Sequence, residues 1–170
     1  MVVELKRAAY QSPGKEGKKG FEDLKCYQLA LDVMINAHQA ASVLPSDEKY
    51  DLVQQMRRAS KSIPANIAEG YGRFHFLDTL PFYAIARGSL NETLSHFIVA
   101  NELGYIDPGF FSQVYELIRE AEITLNGLMN YVRRQKQGQD IYGEQVVREE
   151  FDEYVTNLEE FSPSNEEQTP

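Results

Sequence analysis

From Phe21 onward the chain repeats one device four times: apolar residues recur every three or four positions over about twenty residues, and then a proline or glycine breaks the pattern. The first block carries Leu24, Tyr27, Leu31, Met34, Ile35 and Ala41 and stops at Leu44-Pro45. The second has Ser46 or Asp47 as a candidate N-cap, then Leu52, Met56, Ala59, Ile63 and Ile67, and ends near Gly70 and Gly72. The third opens around Phe76–Pro81, with Asp78 or Thr79 as cap and Pro81 in the first turn, where its missing N–H is tolerated. It runs through Ala84, Ile85, Gly88, Leu94 and Ile98 to Gly104. The fourth starts at Asp107-Pro108 and holds the cleanest heptad: Val114, Ile118, Ala121, Leu125, Leu128 and Val132. No segment shows sustained strand alternation. Four such helices joined by short loops predict an all-α, antiparallel up-down four-helix bundle.

The second block contradicts itself in one place. Within "MRRASKSIPANIAEGYGR", residues 56–73, Pro64 sits mid-helix. It removes one backbone donor and crowds the carbonyl of Ser60, at roughly 3 kcal/mol. This predicts a kinked second helix. Gln55, Ser62 and Asn66 fall on or beside the apolar face, Glu69 follows a turn after Ala65, and Gly70 closes the segment. Buried amides and hydroxyls need partners, so these residues are read as a structural motif, with Ser60 or Ser62 near the group that Pro64 leaves open. Gly88, beside Ser89, offers a low-profile spot where the bent helix or another subunit approaches.

Charge is unevenly spread over the 170 residues, whose formal sum is −9. Residues 1–20 hold five Lys or Arg against two Glu, and their glycines and Pro13 read as a flexible leader. Residues 21–137, the bundle, hold eleven against fourteen and come to −3. Residues 138–170 hold one against ten and come to −9. In that tail Val147, Phe151, Tyr154 and Leu158 keep heptad-like spacing among acids, so an extra acidic amphipathic helix that docks on the bundle or on a partner protein is expected. No apolar run reaches the roughly 18–20 residues that span a bilayer, the N-terminus lacks a secretory core, and Cys26 is alone. The expectation is a cytoplasmic protein with no membrane partner.

Chemistry is sparse. A di-iron bundle needs Glu-x-x-His pairs, but Ile35, Gly72 and Thr93 stand three before His38, His75 and His96. His38 is read as a hydrogen-bonded core residue, and Glu92–His96 as a surface pair. A solitary thiol is a weak nucleophile signal, and "EGYGR" lacks the Lys-Ser/Thr of a phosphate loop. No catalytic residue, metal or cofactor is assigned. Arg57, Arg58 and Lys61, by contrast, are helical neighbours and form a compact cationic cluster, with Arg73 after the helix and Arg133, Arg134 and Lys136 late in the fourth block. These are the candidate nucleic-acid-binding residues.

"FEDLKCYQLALDV", "LPSDEKYDLVQQMRRASKSIPANIAEGYGR", "FYAIARGSLNE" and "NELGYID" resemble a bacterial four-helix-bundle family. Its members include the 23S rRNA intervening-sequence proteins and the accessory variability determinants of diversity-generating retroelements. The resemblance spans about residues 21–137 and includes Pro45, Arg57, Arg58, Ser62, Pro64, Asn66, Gly70 and Gly88. It implies a ring-shaped homopentamer and a non-enzymatic accessory that binds RNA or DNA, with a reverse transcriptase as partner in the retroelement branch. The alternative expectation is an interaction scaffold whose acidic C-terminal helix recruits another protein. The nucleic-acid-binding branch is basic, whereas this bundle is near balance, so binding here requires its cations to be concentrated on one face.

Overall fold

The computed structural model describes residues 20–73 and 76–142, and within these the side chains up to Arg134 apart from Phe76 and Leu77. Among them are four α-helices and no strand: α1 (Lys25–Val43), α2 (Leu52–Tyr71), α3 (Phe76–Glu102) and α4 (Pro108–Tyr142). Neighbours in sequence pack side by side and α4 closes back onto α1, so α2 and α4 lie across the diagonal of a four-helix bundle. The tail residues Val147, Phe151, Tyr154 and Leu158 lie outside the described residues, as does the leader. α4 itself continues past residue 137 to Tyr142, and among its described side chains the last buried one is Val132.

Local chemistry sets the helix ends. Pro45 excludes the helical basin for Leu44, which is extended at φ −64° and ψ 151°, and α1 stops there. Ser46 and Asp47, expected as caps of α2, instead belong to a separate 3₁₀ turn, Ser46–Tyr50, and α2 begins after Asp51. α3 ends in a Schellman turn: Tyr105 N–H donates to Ala100 O at 2.8 Å and Gly104 N–H to Asn101 O at 2.9 Å. That turn needs the positive φ of 69° that Gly104 adopts. Asp107 caps α4 as expected, accepting from Phe110 N–H at 3.0 Å, with Pro108 at the first helical position.

α3 opens within the expected stretch, but its first turn is built differently. The helix is already formed at Phe76, which makes Pro81 its sixth residue rather than part of its first turn. Thr79 is no cap: its hydroxyl donates to Gly70 O at 3.1 Å, tying the end of α2 to α3.

The core stripes of α2 and α4 are those expected: Leu52, Met56, Ala59, Ile63 and Ile67 on one and Val114, Ile118, Ala121, Leu125, Leu128 and Val132 on the other are all buried. α1 buries a smaller-residue face than expected: Cys26, Leu29, Ala30, Val33, Ala37, Ala40 and Ala41. Tyr27, Leu31, Met34 and Ile35 only flank it. In α3 the inward residues are Tyr83, Ala86, Leu90, Leu94, Phe97 and Ala100, and the expected Ala84, Ile85, Gly88 and Ile98 are exposed.

α2 runs unbroken through Pro64, which is buried together with Ile63 and Ile67. Burying each isoleucine contributes about 1.5–3 kcal/mol, enough to offset the proline. Gln55 is exposed and takes no part in the motif expected of it. Ser62 and Asn66 do. Asn66 Nδ2 donates to Ser62 O at 2.7 Å and Ser62 Oγ at 3.0 Å, and Ser89 Oγ of α3 donates to Ser62 Oγ at 2.9 Å. Ser60 Oγ donates to Arg57 O at 3.3 Å. These bonds reach the carbonyls of Arg57 and Ser62, not that of Ser60, so the network joins α2 to α3 rather than repairing the group Pro64 leaves open.

Candidate nucleic-acid interface

Three of the expected cationic residues stay together. Arg57, Arg58 and Lys61 lie within one turn of α2, Arg57 half-buried and the other two exposed. Four residues span about 6 Å along a helix, a distance covering roughly two phosphates of one strand. None of the three forms an ion pair among the described residues. The reason is in the sequence: α2 carries no acid between Asp51 and Glu69, and α1, packed beside it, carries none between Asp32 and Asp47. On α3, whose Ser89 bonds Ser62, the next acid along is Glu92, which lies 3.8 Å from His96 Nε2.

The other expected cations do not join this cluster. Arg73 stands twelve residues beyond Lys61, about 18 Å along the helix axis. It is engaged at home, paired with Glu69 and stacked 4.3 Å over the ring of Phe82. Arg133 donates to Asn130 Oδ1 at 3.1 Å and, with exposed Arg134, lies on α4, diagonally across from α2. Lys136 falls beyond the described side chains. Of the other cations, Arg87 bonds Asn126 at 3.2 Å, Arg119 pairs with Glu122 at 2.8 Å, Lys25 faces Glu120 at 3.7 Å, and Lys49 lies 5.1 Å over the ring of Tyr50.

His38 departs from expectation. It is half-buried on α1, and its Nε2 is shielded from solvent without a hydrogen-bond partner. Burial, then the charges of Lys61 and Arg57, hold its pKa below the ordinary histidine value. Arg57 Nε is likewise buried and unbonded. Sequence spacing did not connect these residues; packing of α1 on α2 does.

Cys26 is fully buried, and burial pushes its thiol up to about 12. A thiol in that state is no nucleophile. Among the described residues no three His, Cys, Asp or Glu side chains gather as a metal site, and no helix is long and apolar enough to cross a membrane.

The outer side of α3 has a different character. Ile85, Ile98 and Val99 are exposed, and Gly88 lies among them with open space where a β-carbon would stand. This helix carries large apolar residues on both sides, the outer ones interspersed with exposed Asn91, Glu92 and Ser95.

Residues 22–127 match the model of a family described as 23S rRNA-intervening sequence protein. A crystal structure from the S23 ribosomal protein family of Bacteroides thetaiotaomicron VPI-5482, described as a protein of unknown function, superposes with a TM-score of 0.58 at 20% identity, covering 64% of this chain and 98% of that one. At that identity the likeness speaks to the fold. No curated protein matches the chain significantly.

Proposed function

The chain belongs to the 23S rRNA-intervening sequence protein family, and from that premise we propose that it is a non-enzymatic accessory protein that binds nucleic acid across the α1–α2 face. The observation that carries this reading is the unpaired state of Arg57, Arg58 and Lys61 in a stretch without acids. Cations held by neighbouring carboxylates have little to offer a phosphate. These three are available, and release of counterions from the nucleic acid supplies the driving force. A bundle near charge balance binds only where its positive charge is gathered, and this face gathers it.

The reading extends to assembly. The exposed apolar residues on the outside of α3, Ile85, Ile98 and Val99, together with Gly88, fit a contact between copies of the chain, which would repeat the cationic face around a closed oligomer such as a ring. Repetition raises affinity without new contacts.

Charge reversal tests the site. The double variant Arg57→Glu/Arg58→Glu is expected to lose binding to single-stranded RNA and DNA in a filter assay, while Arg133→Glu/Arg134→Glu keeps most of it. Equal loss in both would place the interface elsewhere.

A further inference from the structure

His38 lies five residues before the end of α1 and Arg57 five residues after the start of α2, in two helices that follow one another and pack together, so the crossing brings their unmet bonding capacity to the same level of the bundle. His38 Nε2 and Arg57 Nε are both buried and both without a partner. An unpaired buried polar atom costs on the order of 1–3 kcal/mol, so a native fold seldom keeps two in one neighbourhood without a use for them. All the groups that meet there can donate. Arg57 offers Nε–H permanently, Lys61 offers its ammonium, and the imidazole offers Nε2–H either in that neutral tautomer or as imidazolium. With α1 free of acids from Val33 to its end at Val43 and α2 from Leu52 to Ala68, no carboxylate of these stretches is at hand to accept. Donors without acceptors call for an oxyanion.

We propose that His38, Arg57 and Lys61 form a phosphate-binding site at the α1–α2 crossing, in which one phosphodiester of a bound strand accepts hydrogen bonds from Arg57 Nε and His38 Nε2. This rests on the nucleic-acid reading above and deepens it, adding a second helix and a titratable group to the cationic turn of α2.

The site carries a proton with it. The charges facing His38, Lys61 and Arg57, both come from α2. Its own turn of α1, Met34, Ile35, Ala41 and Ser42, supplies none, and α4 on the other flank of α1 sends Glu120 to Lys25. Without an anion these two cations, added to burial, favour the neutral ring. A phosphate between them reverses the local field and favours the imidazolium. Binding therefore takes up a proton and strengthens as pH falls.

Histidine ring ¹H–¹⁵N spectra of the full chain provide the test, with sodium pyrophosphate and a short oligothymidylate as probes. Both are expected to shift the His38 Nε2 resonance and raise its titration midpoint, to leave His96 in place, and to do neither to His38 in Arg57→Gln. Oligothymidylate affinity should rise about three- to tenfold from about pH 8 to pH 6, and His38→Gln should flatten that rise. An oligonucleotide that binds without moving His38 overturns the site but leaves the broader reading standing. Pyrophosphate that moves His38 while no oligonucleotide binds upholds the site and sinks the nucleic-acid reading. If neither probe moves His38, or if polyglutamate moves it more than pyrophosphate does, the phosphate assignment is wrong.

Discussion

Tyr83 of α3 lies against the bare α-carbon of Gly70 in α2: a β-carbon at position 70 would meet its Cε1 at 2.6 Å and its Cδ1 at 2.9 Å. Tyr83 is 1% exposed and has nowhere to retreat. The same glycine's carbonyl accepts from Thr79, so one residue both admits the α3 ring and anchors the α3 entry. Gly70→Ala should therefore destabilise the fold by roughly 1–2 kcal/mol, the overpacking strain exceeding the helix-propensity gain. Chemical denaturation of the two proteins measures it; an unchanged or raised midpoint would mean that α3 is not held this closely.

Gly88 gives the opposite expectation. Its β-carbon position is open, so within the protomer Gly88→Ala should stabilise by about 0.5–1 kcal/mol through helix propensity alone. If copies meet on this face, Gly88→Arg should leave the helical signal intact and reduce the oligomer seen by light scattering. A variant that assembles like the parent would remove α3 from the interface.

Cys26 should be silent. With its thiol pushed up to about 12 by full burial, an alkylating reagent near neutral pH should leave the native protein unmodified and label it once denatured. Mass spectrometry reads the outcome directly, and rapid native labelling would show that the amino-terminal end of α1 opens.

How far these features could be read in advance depended on packing ambiguity. The α4 heptad from Val114 to Val132 was legible because the other face is mostly polar, Ile123 apart, leaving one choice of inward stripe. α3 was not: Ile85 and Ile98 compete with Tyr83, Leu90 and Phe97, and periodicity cannot choose between two apolar sides. In α1 the small Ala30, Ala37, Ala40 and Ala41 take the core positions while larger Leu31 and Met34 flank them, reversing the weight that residue size suggests. The Arg57–Arg58–Lys61 turn could be seen because its members are helical neighbours. His38 could not be joined to it, since 19 positions separate it from Arg57 and only the crossing of α1 on α2 closes that gap.

The depressed pKa of His38 has a consequence for stability. The unfolded chain binds this proton more readily than the folded one, so the sign of the linkage makes stability rise with pH across that interval. The contribution is present above the ordinary histidine range and is lost as pH falls from about 7 through 6.5 toward the lower folded value. In a buffer free of phosphate, denaturation midpoints for wild type should fall over that window more than those of His38→Gln. Parallel curves would show that His38 titrates as it does in the unfolded chain.

Binding of phosphates by Arg57, Arg58 and Lys61 on the α1–α2 face shows itself first in the salt dependence of affinity. For three cations, log K against log salt should have a slope of about −2 on a single strand, steeper if copies of the face act together. The wild type should show that slope, and Arg57→Glu/Arg58→Glu should lose it toward zero together with the affinity. A double variant that binds with the wild-type slope would contradict this assignment of the site.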